Sequence, residues 1–134
     1  MKPSDLNAYL GKKIFKSDVI MITKRHLDLF MELSNDRQLI HSEHQIVHGN
    51  LLLSLFVLPI PIDSENYQLF HCGFKKVRFY EPSRIGDSLQ SVYTLKEIIV
   101  ISEMASDMLI EIIITNVTTN RKIANIWCLM RLIH

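Results

Sequence analysis

Apolar and polar positions follow two different rhythms along this chain. The first half repeats with a helical period. Leu27, Phe30, Met31 and Leu33 fall near one face, while Lys24, Arg25, Asp28 and Glu32 fall elsewhere. Thr23 precedes the run and can cap its first turn, and Ser34-Asn35-Asp36 reads as its end and the start of a turn. A second helix is expected in Leu51-Leu52-Leu53-Ser54-Leu55-Phe56-Val57-Leu58, entered through His48-Gly49-Asn50 and stopped by Pro59. It is apolar almost all round, so the rest of the protein is expected to enclose it.

After Asp63-Ser64-Glu65-Asn66 the rhythm changes to that of strands. Four runs, 74–80, 88–101, 108–115 and 122–133, are separated by turn-forming connectors. The run Leu109-Ile110-Glu111-Ile112-Ile113-Ile114 is rich in the β-branched residues that strands favour. Consecutive strands with short links make an antiparallel sheet, and an apolar helix must lie on one of its faces. The expected class is α+β: a hot-dog fold, in which a curved antiparallel sheet wraps round a buried central helix. Such a sheet leaves an edge uncovered, so a homodimer is expected.

Composition narrows the functions. At 134 residues the chain is expected to be one domain, spanning 1–134. Fifteen Lys+Arg against fourteen Asp+Glu leave a net charge of +1, which gives no global electrostatic reason to bind nucleic acid or an anionic membrane. The longest apolar stretch, 51–62, is interrupted by Ser54, Pro59 and Pro61 and is too short to span a bilayer as a helix. The N-terminus lacks the apolar core of a secretory signal. Two cysteines, Cys72 and Cys128, make no disulfide framework, and a reducing, cytoplasmic setting is expected.

Candidate chemistry gathers around residues 36–49. His41, His44 and His48 are spaced by three and four, which would align them on one helical face as metal ligands. No helix-starting signal accompanies them, and Gly49 opens the next helix, so neither a metal nor another cofactor is expected. Asp36 and His41 are five residues apart and do not share a helix face. A turn can nevertheless point both into one cleft, where imidazole and carboxylate would exchange protons with a bound water. Read from spacing alone, a helix cap plus a surface histidine fits the same pair. His71 reads as a strand residue at or near the surface. Lys75-Lys76, Arg78 and Arg84 are phosphate or carrier-protein candidates by charge alone, or else a solvated strand face.

The run Leu33-Ser34-Asn35-Asp36-Arg37-Gln38-Leu39-Ile40-His41 resembles the hydratase motif of the MaoC-like, (R)-specific enoyl-thioester hydratases and dehydratases. Gln38 is similar to the form found in the nodulation protein N-like subgroup. Two more blocks agree in order. One is Ile46-Val47-His48-Gly49-Asn50-Leu51-Leu52-Leu53-Ser54-Leu55. The other is Asn66-Tyr67 followed by Lys76-Val77-Arg78-Phe79-Tyr80-Glu81-Pro82-Ser83-Arg84-Ile85-Gly86-Asp87-Ser88-Leu89. The resemblance covers roughly residues 8–132. It implies hydration of 2-enoyl thioesters, or dehydration of 3-hydroxyacyl thioesters, on coenzyme A or an acyl carrier protein. Asp36 and His41 would be the catalytic dyad. The Gly49 N–H would meet the enolate oxygen, with the helix dipole behind it. Gln38, His48 and Ser54 are supporting candidates. His48 reads better as structural than as catalytic, and the Ser54 hydroxyl can equally bond back to a helix carbonyl.

Two departures stand out. Asn35 occupies the position where the family usually has glycine, and asparagine tolerates the left-handed conformation. Only six residues, 42–47, separate His41 from His48, where the family has a much longer covering segment. An open site for a large acyl carrier, or an idle dyad, would each follow. The alternatives to a lyase are therefore a hot-dog acyl-thioesterase and a non-catalytic acyl-thioester-binding subunit.

Overall fold

The structure is a computed structural model that describes residues 6–57 and 66–133. Its elements are α1 (Leu6–Tyr9), β1 (Lys13–Lys16), β2 (Ile20–Met21), α2 (Lys24–Ser34), α3 (Leu39–Ser42), α4 (Gly49–Phe56), β3 (Gln68–Phe79), β4 (Ser88–Ser102), β5 (Ala105–Asn116) and β6 (Arg121–Ile133). All the strands join one antiparallel sheet in the order β1-β4-β5-β6-β3, with β2 also on β4. Among the described residues, no helix is long and apolar enough to cross a membrane.

The two-residue period sorts side chains between the faces of the sheet. In β5, Met108, Ile110, Ile112 and Ile114 are buried; in β6, Ala124, Ile126, Cys128, Met130 and Leu132 are. They share one core with Leu27 and Met31 of α2, with Leu51, Leu52 and Phe56 of α4, and with Val57 just beyond it. The β4–β5 turn is tight, with Ser102 opposite Ala105, and Asn120 at φ 58° closes the β5–β6 turn.

The four expected strands are present, with extended ends. β3 begins at Gln68 because its early residues pair with β6, Gln68 lying opposite Ile133. That stretch is half polar and mostly exposed, so it shows no alternation to read. β1 and β2 are too short to display a period and exist only through pairing with β4.

Thr23 caps α2 as expected: its Oγ1 accepts the His26 N–H at 3.4 Å, and its own N–H donates to His26 Nδ1 at 3.0 Å. Leu33 departs from the apolar face and is exposed. Six residues past Leu27 is about 240° round a helix of roughly 100° per residue, away from the core.

α4 buries Leu51, Leu52 and Phe56 but leaves Asn50 and Ser54 exposed. Among the described residues, nothing covers this face of the helix. Its open face borders a groove of about 360 Å³ lined by Asn50, Leu53, Ser54 and Val57, with His71 and Phe74 of β3. The expected stop at Pro59 lies outside the described residues. One polar tether joins α4 to the sheet. Tyr93 of β4, fully buried, donates its O–H to the Phe56 carbonyl, which belongs to the last turn and has no partner within the helix. Ser91 Oγ donates to the Tyr93 oxygen at 2.8 Å.

That tether makes Tyr93→Phe costly. The substitution keeps the ring but strands the Phe56 carbonyl and the Ser91 hydroxyl, and we expect about 1–3 kcal/mol to be lost in urea unfolding. Stability is also expected to fall in alkali. Burial pushes Tyr93 up to about 12 and Cys128 up to about 12, from ordinary values of 10.0 and 9.0. The unfolded chain therefore releases these protons first, and stability that is whole below pH 9 is lost as pH rises towards 12. Melting temperatures measured from pH 8 upwards should show this decline, and Tyr93→Phe should shallow it.

Candidate active site

The site is built where α2 stops. Asn35 adopts φ 58° and its N–H donates to the Met31 carbonyl at 2.8 Å, ending the helix in the left-handed conformation that glycine would otherwise supply. The next residue is held from both sides. The Asp36 N–H donates to Ser34 Oγ at 3.1 Å, and Asp36 Oδ1 accepts the Gln38 N–H at 3.4 Å. This local turn chemistry leaves the second carboxylate oxygen, Oδ2, free to face His41. The backbone of Gln38 starts α3, its carbonyl accepting the His41 and Ser42 N–H groups, while its side chain is exposed.

α3 carries His41 back towards the carboxylate: His41 Nε2 lies 3.5 Å from Asp36 Oδ2. The other ring nitrogen, Nδ1, is 2.6 Å from the Ile46 carbonyl. A carbonyl only accepts, so Nδ1 must carry the hydrogen, and the neutral ring presents a bare Nε2. Ile46 is itself held, by an isolated bridge to Arg84 and by its N–H on the Ile40 carbonyl at 3.0 Å. The pair is partly open to solvent, with 13% of the His41 side chain and 37% of the Asp36 side chain exposed.

His48 lies beneath them, 3% exposed. Its Nε2–H donates to the Asp36 carbonyl at 3.0 Å. Its ring stacks on His41 with centroids 3.6 Å apart and planes 19° apart, and Phe30 meets it in a tilted contact at 4.8 Å. His48 Nδ1 is buried with no hydrogen-bond partner.

His44 is exposed beyond the end of α3, because the helix stops at Ser42. The three histidines therefore do not share a helical face. A different trio of metal-type donors does converge, since Asp36, His41 and His48 each have one ligand atom within 4.8 Å of the others. The stacked rings set their in-plane lone pairs side by side rather than towards a common point. Two of the four ring nitrogens are also taken by carbonyls. The arrangement fits proton transfer better than chelation.

Gly49, immediately after His48, is the first residue of α4. Leu51 and Leu52 direct their N–H groups to the His48 carbonyl, while first-turn amides such as that of Gly49 have no intrahelical acceptor. A Cβ on Gly49 would stand 2.9 Å from the Phe79 ring, so any larger residue here must push that ring aside. Gly49 lines a groove of about 320 Å³ with Val47, Leu52, Phe79, Tyr80 and Ser83. Ser54 is elsewhere, in the groove beside His71, and its Oγ donates to the Asn50 carbonyl at 3.0 Å. It thus makes the helix back-bond that serine commonly makes.

Three contributors escape sequence reasoning: the Ile46 carbonyl, the Phe30 ring and the Phe79 ring. Backbone carbonyls carry no residue signature, and both aromatics read as ordinary apolar positions.

No family model matches the chain. It is 27% identical over 109 residues to nodulation protein N of Rhizobium leguminosarum bv. viciae, covering 70% of this chain and 68% of that one. It is 29% identical over 108 residues to 3-hydroxyacyl-thioester dehydratase Z of Mycobacterium tuberculosis, covering 69% and 70%. Among solved structures, the MaoC-like dehydratase from Rhodospirillum rubrum superposes with a TM-score of 0.77 over 93% of this chain and 92% of that one, at 13% identity. The shared hot-dog architecture and these relatives agree with the motif: the chain is similar to the MaoC-like hydratases and dehydratases.

Proposed function

We propose that this enzyme catalyses the (R)-specific addition of water to 2-enoyl thioesters, and the reverse loss of water from 3-hydroxyacyl thioesters, carried on coenzyme A or an acyl carrier protein. The observation that carries the reading is the pairing of His41 Nε2 with Asp36 Oδ2, 3.5 Å apart at a partly open surface. Each has its opposite side occupied, His41 Nδ1 by the Ile46 carbonyl and Asp36 Oδ1 by the Gln38 amide. A water between them can donate to both.

In the hydration direction the water oxygen bonds to the β-carbon as its O–H proton passes to the dyad. The C=C electron pair moves onto the thioester oxygen, giving an enolate. Collapse of the enolate takes a proton from the dyad at the α-carbon, so the dyad ends as it began. Dehydration runs the same steps backwards: the dyad removes the α-proton, and the β-hydroxyl leaves with a proton as water. The Gly49 amide, backed by the α4 dipole, is a donor for the enolate oxygen.

The whole chain acts as one hot-dog domain, in the cytoplasm and as a homodimer. The β3 edge supports the dimer: the strand ends the sheet, is exposed along most of its length and carries Phe70 and Phe74 on its surface. A second copy there would also cover the open face of α4.

Asp36→Asn and His41→Ala are each expected to lower turnover of crotonyl and longer enoyl thioesters by about 10²–10⁴-fold. Loss of enoyl-thioester absorbance reports this, with melting temperatures close to wild type. Wild-type rates in both variants would remove the dyad, and thiol release from saturated thioesters would mark a thioesterase instead.

Gly49→Ala tests the amide. The Phe79 ring tip is half-exposed and can swing aside, so the stability loss should sit at the low end of the roughly 1–3 kcal/mol of overpacking. Enoyl-thioester turnover should fall as well, because the ring that must shift lines the same groove as Gly49.

A further inference from the structure

His48 takes no part in the proton transfers just described, yet it is the most buried member of the cluster. It touches both partners of the dyad by different means. Its ring face lies 3.6 Å from that of His41, and its Nε2–H reaches the main-chain carbonyl of Asp36 at 3.0 Å. Phe30 of α2 also meets the ring, in a tilted contact at 4.8 Å. The free nitrogen, Nδ1, is buried without a partner. Because the Asp36 carbonyl can only accept, the neutral His48 ring carries its hydrogen on Nε2 and leaves Nδ1 bare.

We propose that His48 is a positioning residue for the acid–base pair, a shelf beneath the His41 ring and a clasp on the Asp36 peptide. The shelf keeps His41 in the orientation that gives Nδ1–H to Ile46 and turns Nε2 towards Asp36. It also offers a neutral aromatic face to the positive charge that His41 carries after accepting a proton. The clasp holds the backbone of Asp36 while the side chain is set by the Gln38 amide. The two contacts converge because only residues 42–47 separate the histidines, and that segment spans the end of α3, Gln45 at φ 58° and the Ile46 bridge. The structural role is independent of the reaction; the effect on turnover rests on the hydratase reading.

Three substitutions separate the functions. His48→Leu removes both, His48→Phe keeps the shelf, and His48→Gln keeps a donor for the clasp. With enoyl-thioester substrate, His48→Leu should lower kcat about 10–100-fold while KM stays within about twofold, since a misplacement near 1 Å is enough for such a loss. Phe and Gln should each recover part of kcat. Nitrogen-15 NMR of the His41 ring gives the second readout, without substrate. Wild type should show the Nδ1–H tautomer, His48→Leu a mixture of tautomers, and His48→Phe the wild-type pattern. If His48→Leu unfolds, the Phe and Gln variants supply both measurements. A wild-type kcat, or a wild-type His41 spectrum, in a folded variant lacking the shelf would overturn the proposal. A protein without hydratase turnover whose His41 spectrum still responds to His48 would overturn the hydratase reading and leave the positioning role standing.

Discussion

One backbone carbonyl decides what His41 can do. The Ile46 oxygen, 2.6 Å from Nδ1, takes the only hydrogen a neutral imidazole carries and so leaves Nε2 basic. Without it the two tautomers would compete, and the one with its hydrogen on Nε2 would present an N–H to the carboxylate. The carbonyl is itself fixed from a distant part of the chain. Ile46 bridges Arg84, the Val47 N–H donates to the Ser83 carbonyl at 2.7 Å, and the Ile85 N–H to the Gln45 carbonyl at 3.3 Å. The connector before β4 therefore holds the loop that orients the histidine.

The α4 helix is placed with comparable economy. Its C-terminal end is tied to the sheet through Tyr93 and Phe56, and its N-terminal end abuts the Phe79 ring. The helix is thus located by contacts to strands β4 and β3 at its two ends, together with the loop that precedes it, whose Val47 N–H is held by the Ser83 carbonyl. In the proposed reaction such anchoring would matter, because a dipole that must reorient stabilises developing charge less than one already fixed. The same contacts orient the apolar face of α4, where Leu51, Leu52 and Phe56 enter the core.

The architecture was largely legible. β4, β5 and β6 were legible from their β-branched, apolar runs and the turn residues between them, Thr23 marks the start of α2, and Ser34-Asn35-Asp36 brackets its end. Asn35 shows why: its ability to hold φ 58° is local chemistry, available from the residue type. The misses are equally physical. β1, β2 and the start of β3 owe their conformation to strand partners far along the chain, which periodicity within a short window does not record. α3 is a single turn without a side-chain cap, so it carries no start signal. At the site, the motif pointed to Asp36, His41 and Gly49, but the contacts that set their geometry come from a carbonyl and two aromatic rings. Ser54 shows the opposite limit: a polar residue on an apolar helix invites a role, and its hydroxyl is already used by the Asn50 carbonyl.

The shortness of residues 42–47 ties these strands of argument together. A long segment there would cover the cleft; a short one cannot, and the dyad is left partly exposed. Exposure weakens electrostatic interactions, because water screens charge and competes for Asp36 and His41. The chain offsets this from below. The His41 ring stacks on a buried imidazole, so water does not reach it from that face. A bulky acyl carrier approaching from that open side would itself displace the solvent, completing the enclosure that the protein alone does not provide. The reaction's dry environment would then be a property of the complex, with the floor supplied by the protein and the lid by the substrate.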